Sequence, residues 1–218
     1  MQIDSVKAVL FDFDMTLMDT SHIITECTNL LADRYELRRV TRDETLAVIG
    51  LPILDSWAAL WGRFEDEWLD YYRTNFRGME HNGFREFPGT RDVPARIRDA
   101  GIKTGVVSNR RFAASAVEQS GIGAYFDVVI GLEDVSNPKP HPEPILMALE
   151  SLGIEPHGAV YVGDADIDMR TAVAADVIGI GVTTGNFGAS ELLSAGASHA
   201  CASLDEIPDI VFAMRQNK

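Results

Sequence analysis

The chain is poor in cysteine, poor in positive charge and free of long apolar runs. Cys27 and Cys201 are the only two cysteines among 218 residues, far apart and in no CxxC spacing. A disulfide framework is therefore not expected, and a reducing cytoplasm is the expected location. Basic residues number 19 against 33 acidic ones, for a net charge of -14. Nucleic acid and anionic membrane both attract cationic surfaces, so neither is an expected partner. The opening "MQIDSVKAVLFDFD" has no basic start, and Asp12 interrupts its apolar run. Neither a signal peptide nor a membrane span is expected there. No HxxxH pair or Cys/His cluster competes for zinc. "GNFGAS" (185–190) has no GK[ST], and "GIGVTT" (179–184) lacks the third glycine of a dinucleotide fingerprint. Neither is assigned a nucleotide role.

What is present is enough apolar material, 46% of residues, for a sizeable core. The length fits one large domain, or one domain carrying a smaller one. Short apolar runs stand out at 6–11, 103–108, 126–131, 159–163, 177–182 and 198–203. Most are rich in Val and Ile with little alternation, as strands buried on both faces of a parallel sheet are. Helical segments lie between them, at 91–101, 112–122 and 142–154, stopping at or near Gly101, Gly121 and Gly153. The order predicts a three-layer, doubly wound, Rossmann-like α/β parallel sheet. Residues 17–85 break the rhythm. Ile23, Ile24, Cys27, Leu30 and Leu31 fall at helical spacing, "TRDE" (41–44) reads as a capping box, and "FEDEWLDYYRTNF" (64–76) is helical again. The expected organisation is a core of 1–16 and 86–218 with a helical insert at 17–85.

In an open α/β sheet, ligands bind at the carboxyl ends of the strands. Asp12 and Asp14 follow the first strand, and Ser108 and Asn109 follow the second. Lys139 comes after the third, and Asp164, Asp166 and Asp168 after the fourth. One aspartate after a strand is usually a turn former or helix cap; four loops delivering such groups to one edge are a different matter. Converging carboxylates repel unless a cation joins them. Oxygen-only ligands favour a hard ion, Mg²⁺, and that ion would draw in a phosphate. Lys139 and the Ser108 hydroxyl can hold further phosphate oxygens. Asp12 and Asp14, two residues apart on an extended segment, share a face. One carboxylate can attack phosphorus and the other can transfer protons.

The ordered motifs "DFDMT" (12–16), "VVSN" (106–109), Lys139 in "NPKP" and "GDADID" (163–168) resemble those of the haloacid dehalogenase superfamily. "VIGLP" (48–52) and "FPGTRDVPARIRDAG" (87–101) resemble its phosphoglycolate phosphatase-like branch with an α-helical cap. The resemblance implies that the insert is a cap. It makes Asp12 the nucleophile that forms an aspartyl-phosphate, and Asp14 the general acid and then base. Ser108 and Asn109 would orient the phosphoryl group, and Lys139 would steady nucleophile and phosphate. Mg²⁺ would bind the Asp12 carboxylate, the Asp14 backbone carbonyl and Asp164, with Asp168 supporting it from behind. The acid at position 14 indicates phosphoryl transfer rather than dehalogenation. The implied activity is hydrolysis of a small phosphorylated metabolite by a monomer or homodimer. A phosphohexomutase shares all four motifs, and a receiver-like phospho-acceptor module shares the residue types. Phosphoglycolate, sugar phosphates, nucleotides and pyrophosphate are all compatible substrates. Met15 departs from the pattern, which usually has glycine there.

Other features have plainer readings. His22 is incidental at a helix start, and Asp166 is structural or solvent-facing. Arg110 and Arg111 either meet a substrate anion or form a solvated pair. Trp57, Trp61 and Trp68 read as core of the insert, with a substrate wall as the alternative.

Overall fold

β1 (Ala8–Phe11) is the centre of a six-stranded parallel sheet, and all four of its side chains are fully buried. The computed structural model describes residues 6–216; residues 1–5 and 217–218, at the ends of the expected core segments, lie outside the described residues. β2 (Met18–Asp19) follows, then five helices: α1 (Ser21–Arg34), α2 (Arg42–Leu46), α3 (Ile53–Trp61), α4 (Asp66–Asn75) and α5 (Arg77–Asn82). β3 (Arg85–Glu86) returns the chain and pairs antiparallel with β2, outside the main sheet. Alternation then sets in: α6 (Asp92–Asp99), β4 (Lys103–Val107), α7 (Ala113–Gln119), β5 (Val128–Ile130), α8 (Glu143–Leu152) and β6 (Ala159–Gly163). It ends with α9 (Asp166–Ala174), β7 (Ile178–Val182), α10 (Ala189–Ser194), β8 (His199–Cys201) and α11 (Ile207–Gln216).

The sheet order is β5-β4-β1-β6-β7-β8, every pair parallel. Side chains alternate across a strand, and here both faces are covered. Val9 and Phe11 pack with Val93 and Ile97 of α6, Val117 of α7 and Val211 of α11. Ala8 and Leu10 pack with Ile145, Ala148 and Leu149 of α8 and Ala172 of α9. This is the three-layer α/β arrangement expected from the uninterrupted Val/Ile runs. β1 has β4 on one side and β6 on the other, so the strand order switches there and opens a crevice at the carboxyl edge.

The helices between β2 and β3 have a hydrophobic cluster of their own, built on Ile23, Cys27, Leu31, Trp57, Trp68, Tyr72 and Phe76. The three tryptophans pack against one another at an angle, Trp61 edge-on to Trp68 at 5.7 Å between centroids. α2 starts with the capping box expected from "TRDE": Thr41 accepts from the Glu44 N–H, and Glu44 accepts from the Thr41 N–H. Both cysteines are buried free thiols, Cys201 in the cluster on one face of the sheet and Cys27 in the cluster of the insert. No helix among the described residues is long and apolar enough to cross a membrane.

Candidate active site

Asp12 is the first residue beyond the end of β1. Its N–H still donates to Val162 O of β6 (2.9 Å), so its carboxylate leaves the sheet at the crevice. The chain then turns sharply. Met15 N–H donates to Met18 O, and Leu17 and Met18 N–H both return to Phe13 O. Met15 has φ 60°, the left-handed region that favours glycine, and this is where the family pattern has glycine. A side chain there costs roughly 1–2 kcal/mol. Met15 is only 2% exposed, and burial of a methionine side chain, roughly 1.5–3 kcal/mol, offsets that strain. The turn points Thr16 at the far side of the crevice, where its hydroxyl donates to Asp164 Oδ1 (2.8 Å).

Asp12, Asp164 and Asp168 bring carboxylate oxygens within 4.8 Å of one another, all three residues buried. Lys139 Nζ is the cation among them, donating to Asp12 Oδ1 (2.9 Å), Asp168 Oδ1 (2.6 Å) and Tyr161 OH (3.0 Å). Asp168 is fully engaged: its Oδ1 also accepts from Tyr161 OH, and its Oδ2 accepts from the Ala165 N–H at the start of α9. Asp12 and Asp164 each keep an oxygen outside these bonds. Burial, only partly countered by Lys139, pushes the Asp12 carboxyl up to about 7, with Asp168 and Asp14 adding repulsion. Burial and then Asp168 and Asp12 raise Asp164 well above the carboxylate range. For Lys139, burial opposes the charge, but Asp12 and Asp168 outweigh it and hold the ammonium protonated. Three carboxylates against one ammonium, with only oxygen donors, fit a hard divalent cation such as Mg²⁺. Two glycines make the cluster possible by close approach. A Cβ on Gly163 would lie 2.4 Å from Asp168 Cβ, and one on Gly185 would lie 1.9 Å from Asp164 Oδ2.

Ser108 and Asn109 follow β4 and are buried beside this cluster. The Asn109 side chain is a strap. Its Oδ1 accepts from the Lys139 N–H (2.9 Å), and its Nδ2 donates to Lys139 O (3.2 Å) and to Gly50 O of the insert (2.9 Å). The "VIGLP" stretch is thereby tied to the sheet edge.

Asp14, near enough to Asp12 to repel it, is not part of that three-carboxylate cluster. It lines a cavity of about 140 Å³ between the sheet edge and the helical insert, together with Ser108, Asn109 and Arg110. Arg110 clamps it with Nε to Oδ2 (2.9 Å) and Nη2 to Oδ1 (2.6 Å). The same guanidinium bonds Glu80 on α5, which also accepts from Tyr72 OH (2.8 Å). Burial opposes the Arg110 charge, but Asp14 and Glu80 more than restore it. Arg110 is therefore no half of a solvated pair, although Arg111 is exposed. All three tryptophans belong to the insert's core, as expected, and Trp57 also lines the cavity, whereas Trp61 and Trp68 are outside its lining. His22 stays outside the cavity lining, 3.8 Å from Asp19, and Asp166 pairs with Arg170 on α9. Tyr161, Thr16 and Glu80 were not singled out from sequence. A lone tyrosine in the buried run "AVYVG" was a usable signal, since a buried hydroxyl needs a partner. Glu80 carried none.

A doubly wound sheet whose carboxyl edge gathers three carboxylates and a lysine is suited to holding a hard cation and a phosphate. The comparisons give the family. The haloacid dehalogenase-like hydrolase profile matches residues 9–182. A pyrophosphatase PpaX from Bacillus pumilus is 34% identical over 181 residues, covering 82% of this chain and 83% of the relative. A phosphoglycolate phosphatase from Salmonella paratyphi A is 29% identical, covering 88% of each chain. The crystal structure of a haloacid dehalogenase-like hydrolase from Bacteroides fragilis superimposes with a TM-score of 0.84 at 29% identity, over 93% of this chain and all of that one. The chain belongs to the haloacid dehalogenase-like hydrolase family, as its four motifs indicated, and is an enzyme of the phosphatase kind.

Proposed function

We propose that the protein is a Mg²⁺-dependent phosphatase that hydrolyses a small phosphomonoester through an aspartyl-phosphate on Asp12. One observation carries the reading: the two aspartates of "DFDMT" are neighbours with different partners. Asp12 lies in the carboxylate–lysine cluster, and Asp14 lies on the cavity wall. Attack on phosphorus belongs to the first, and proton transfer at the leaving group to the second.

Asp12 and Asp164 would hold the cation, with the Asp14 backbone carbonyl. When bound, Mg²⁺ neutralises charge on the phosphoryl oxygens. Lys139 keeps Asp12 aimed and offers its remaining positive field to the phosphoryl group, while Asp168 and Tyr161 fix the ammonium. The Ser108 hydroxyl donates to a phosphoryl oxygen, and Asn109 acts by holding the Lys139 loop in place. An Asp12 oxygen bonds to phosphorus as the ester P–O bond breaks, and Asp14 gives its proton to the departing oxygen. Water then adds to phosphorus, Asp14 takes the proton, and the P–O bond to Asp12 breaks to release phosphate. The helices of residues 17–85 serve as a cap that excludes bulk water. Two buried thiols suit the cytoplasm, where we place the protein.

A phosphate-release screen over small phosphoesters, with and without Mg²⁺, tests the reading. Asp12→Asn should abolish release with the fold intact, and release by that variant would refute the nucleophile. Asp14→Asn should slow esters of poor leaving groups, such as alkyl phosphates, far more than 4-nitrophenyl phosphate. Equal slowing would remove Asp14 from proton transfer.

A further inference from the structure

The cavity carries a charge that the proposed chemistry does not use. Its lining holds four arginines, Arg73, Arg77, Arg110 and Arg111, against two carboxylates, Asp14 and Glu80. Arg110 pairs with both carboxylates. Among the described residues, no carboxylate lies within ion-pair distance of Arg73, Arg77 or Arg111. In a chain of net charge -14, three unpaired cations on one cavity are a marked local excess. They are close enough to repel: burial and then Arg111 lower the pKa of Arg73, Asp70 offsets part of this, and Arg77 adds to the lowering.

Their placement is built. Arg77 of α5 lies over the Phe112 ring, 4.3 Å from its centroid, so an aromatic face positions it where a carboxylate could have. Phe112 holds φ 58°, left-handed and costly for a bulky residue, and presents its ring to the insert. Much of the remaining wall is apolar, with Ile24, Val48, Ile53, Trp57, Leu60 and Leu69 alongside the polar Thr28, Thr45, Ser56, Tyr72 and His81.

We infer that the substrate is a phosphomonoester whose organic part is an apolar body ending in a second anionic group, carboxylate or phosphate, held by Arg73, Arg77 and Arg111. This rests on the phosphatase reading for which end is cleaved. Pyrophosphate, with no apolar spacer between its phosphates, does not match that wall. Arginine suits the role because its planar fork meets carboxylate or phosphate with two bonds.

The test is binding, which needs no turnover. Alkylphosphonates and ω-carboxyalkylphosphonates of matched length, from two to six carbons, are titrated calorimetrically with Mg²⁺ present. At the fitting length the carboxylate should tighten Kd by about tenfold or more, the scale of one charge-assisted bidentate contact. Arg73→Gln/Arg77→Gln should bring that ratio to about one, with tryptophan emission reporting an intact insert. If the double variant misfolds, Arg111→Gln, at an exposed position, should lower the same ratio. No carboxylate preference at any length would overturn the inference, as would a preference that survives the substitutions or tightest binding by methylenebisphosphonate. Phosphate release from any ester separately decides the phosphatase reading.

Discussion

At Gly185 a single hydrogen decides whether Asp164 can stand where it does. The backbone there is not left-handed, so the constraint is space alone. Gly185→Ala would put a methyl 1.9 Å from Asp164 Oδ2, and Asp164 must give way because Gly185 is held in the loop after β7. Shifts in a ligand's supporting shell typically cost 10–100-fold in metal affinity. The apparent Mg²⁺ constant should therefore rise at least tenfold, read by isothermal titration as well as by activation. An unchanged constant would mean that Asp164 does not hold the cation. Met15 is the complementary case. Its backbone asks for glycine, yet its buried side chain offsets the strain, which explains why the departure from the family pattern is tolerated.

The loop between β4 and α7 joins the sheet edge to the insert, and Arg110 is its tie. Removing that guanidinium leaves Asp14 and Glu80 buried without a counter-charge, an arrangement that costs about 3–5 kcal/mol. Arg110→Met should show a loss of that order in urea unfolding. Arg110→Met/Glu80→Gln should recover part of it, because one of the two stranded charges is gone. All three tryptophans lie in α3 and α4, so their emission reads the insert directly. If the double variant proves less stable than the single one, the Glu80 charge is not the source of the cost. This tie also marks the limit of what could be read from the chain alone. The main strands were legible because a strand buried on both faces must be apolar throughout, and the site aspartates because they follow such strands. β2 and β3 are two residues each, too short for any period to show. Arg110 was ambiguous because its partners lie 96 and 30 residues away, and nothing around Glu80 marks it as buried.

Across the whole molecule, the buried carboxylates make stability depend on pH in a sense that a bound cation should reverse. Asp12 sits at about 7 in the fold against 3.8 unfolded, and Asp164 is also raised. Between roughly pH 4 and 7 the folded chain thus binds more protons than the unfolded one, and stability falls as pH rises. The carboxylates with lowered values, Asp19, Glu44, Asp127 and Glu143, act oppositely, stabilising above their unfolded pKa values of 3.8 and 4.5. Their effect is nearly complete by about pH 5.5. The raised Cys27, Cys201 and Lys139 titrate unfolded at 9.0 or above. The window from pH 5.5 to 8 therefore isolates the site carboxylates among the groups with shifted values. Metal-free protein should lose Tm across that window. A cation competes with the protons for the same oxygens, so saturating Mg²⁺ should raise Tm little at pH 5.5 and strongly at pH 8. Asp12→Asn should flatten both trends, since it removes the group whose proton is displaced. A Mg²⁺ shift of equal size at the two pH values would show that the cation binds elsewhere than among Asp12, Asp164 and Asp168.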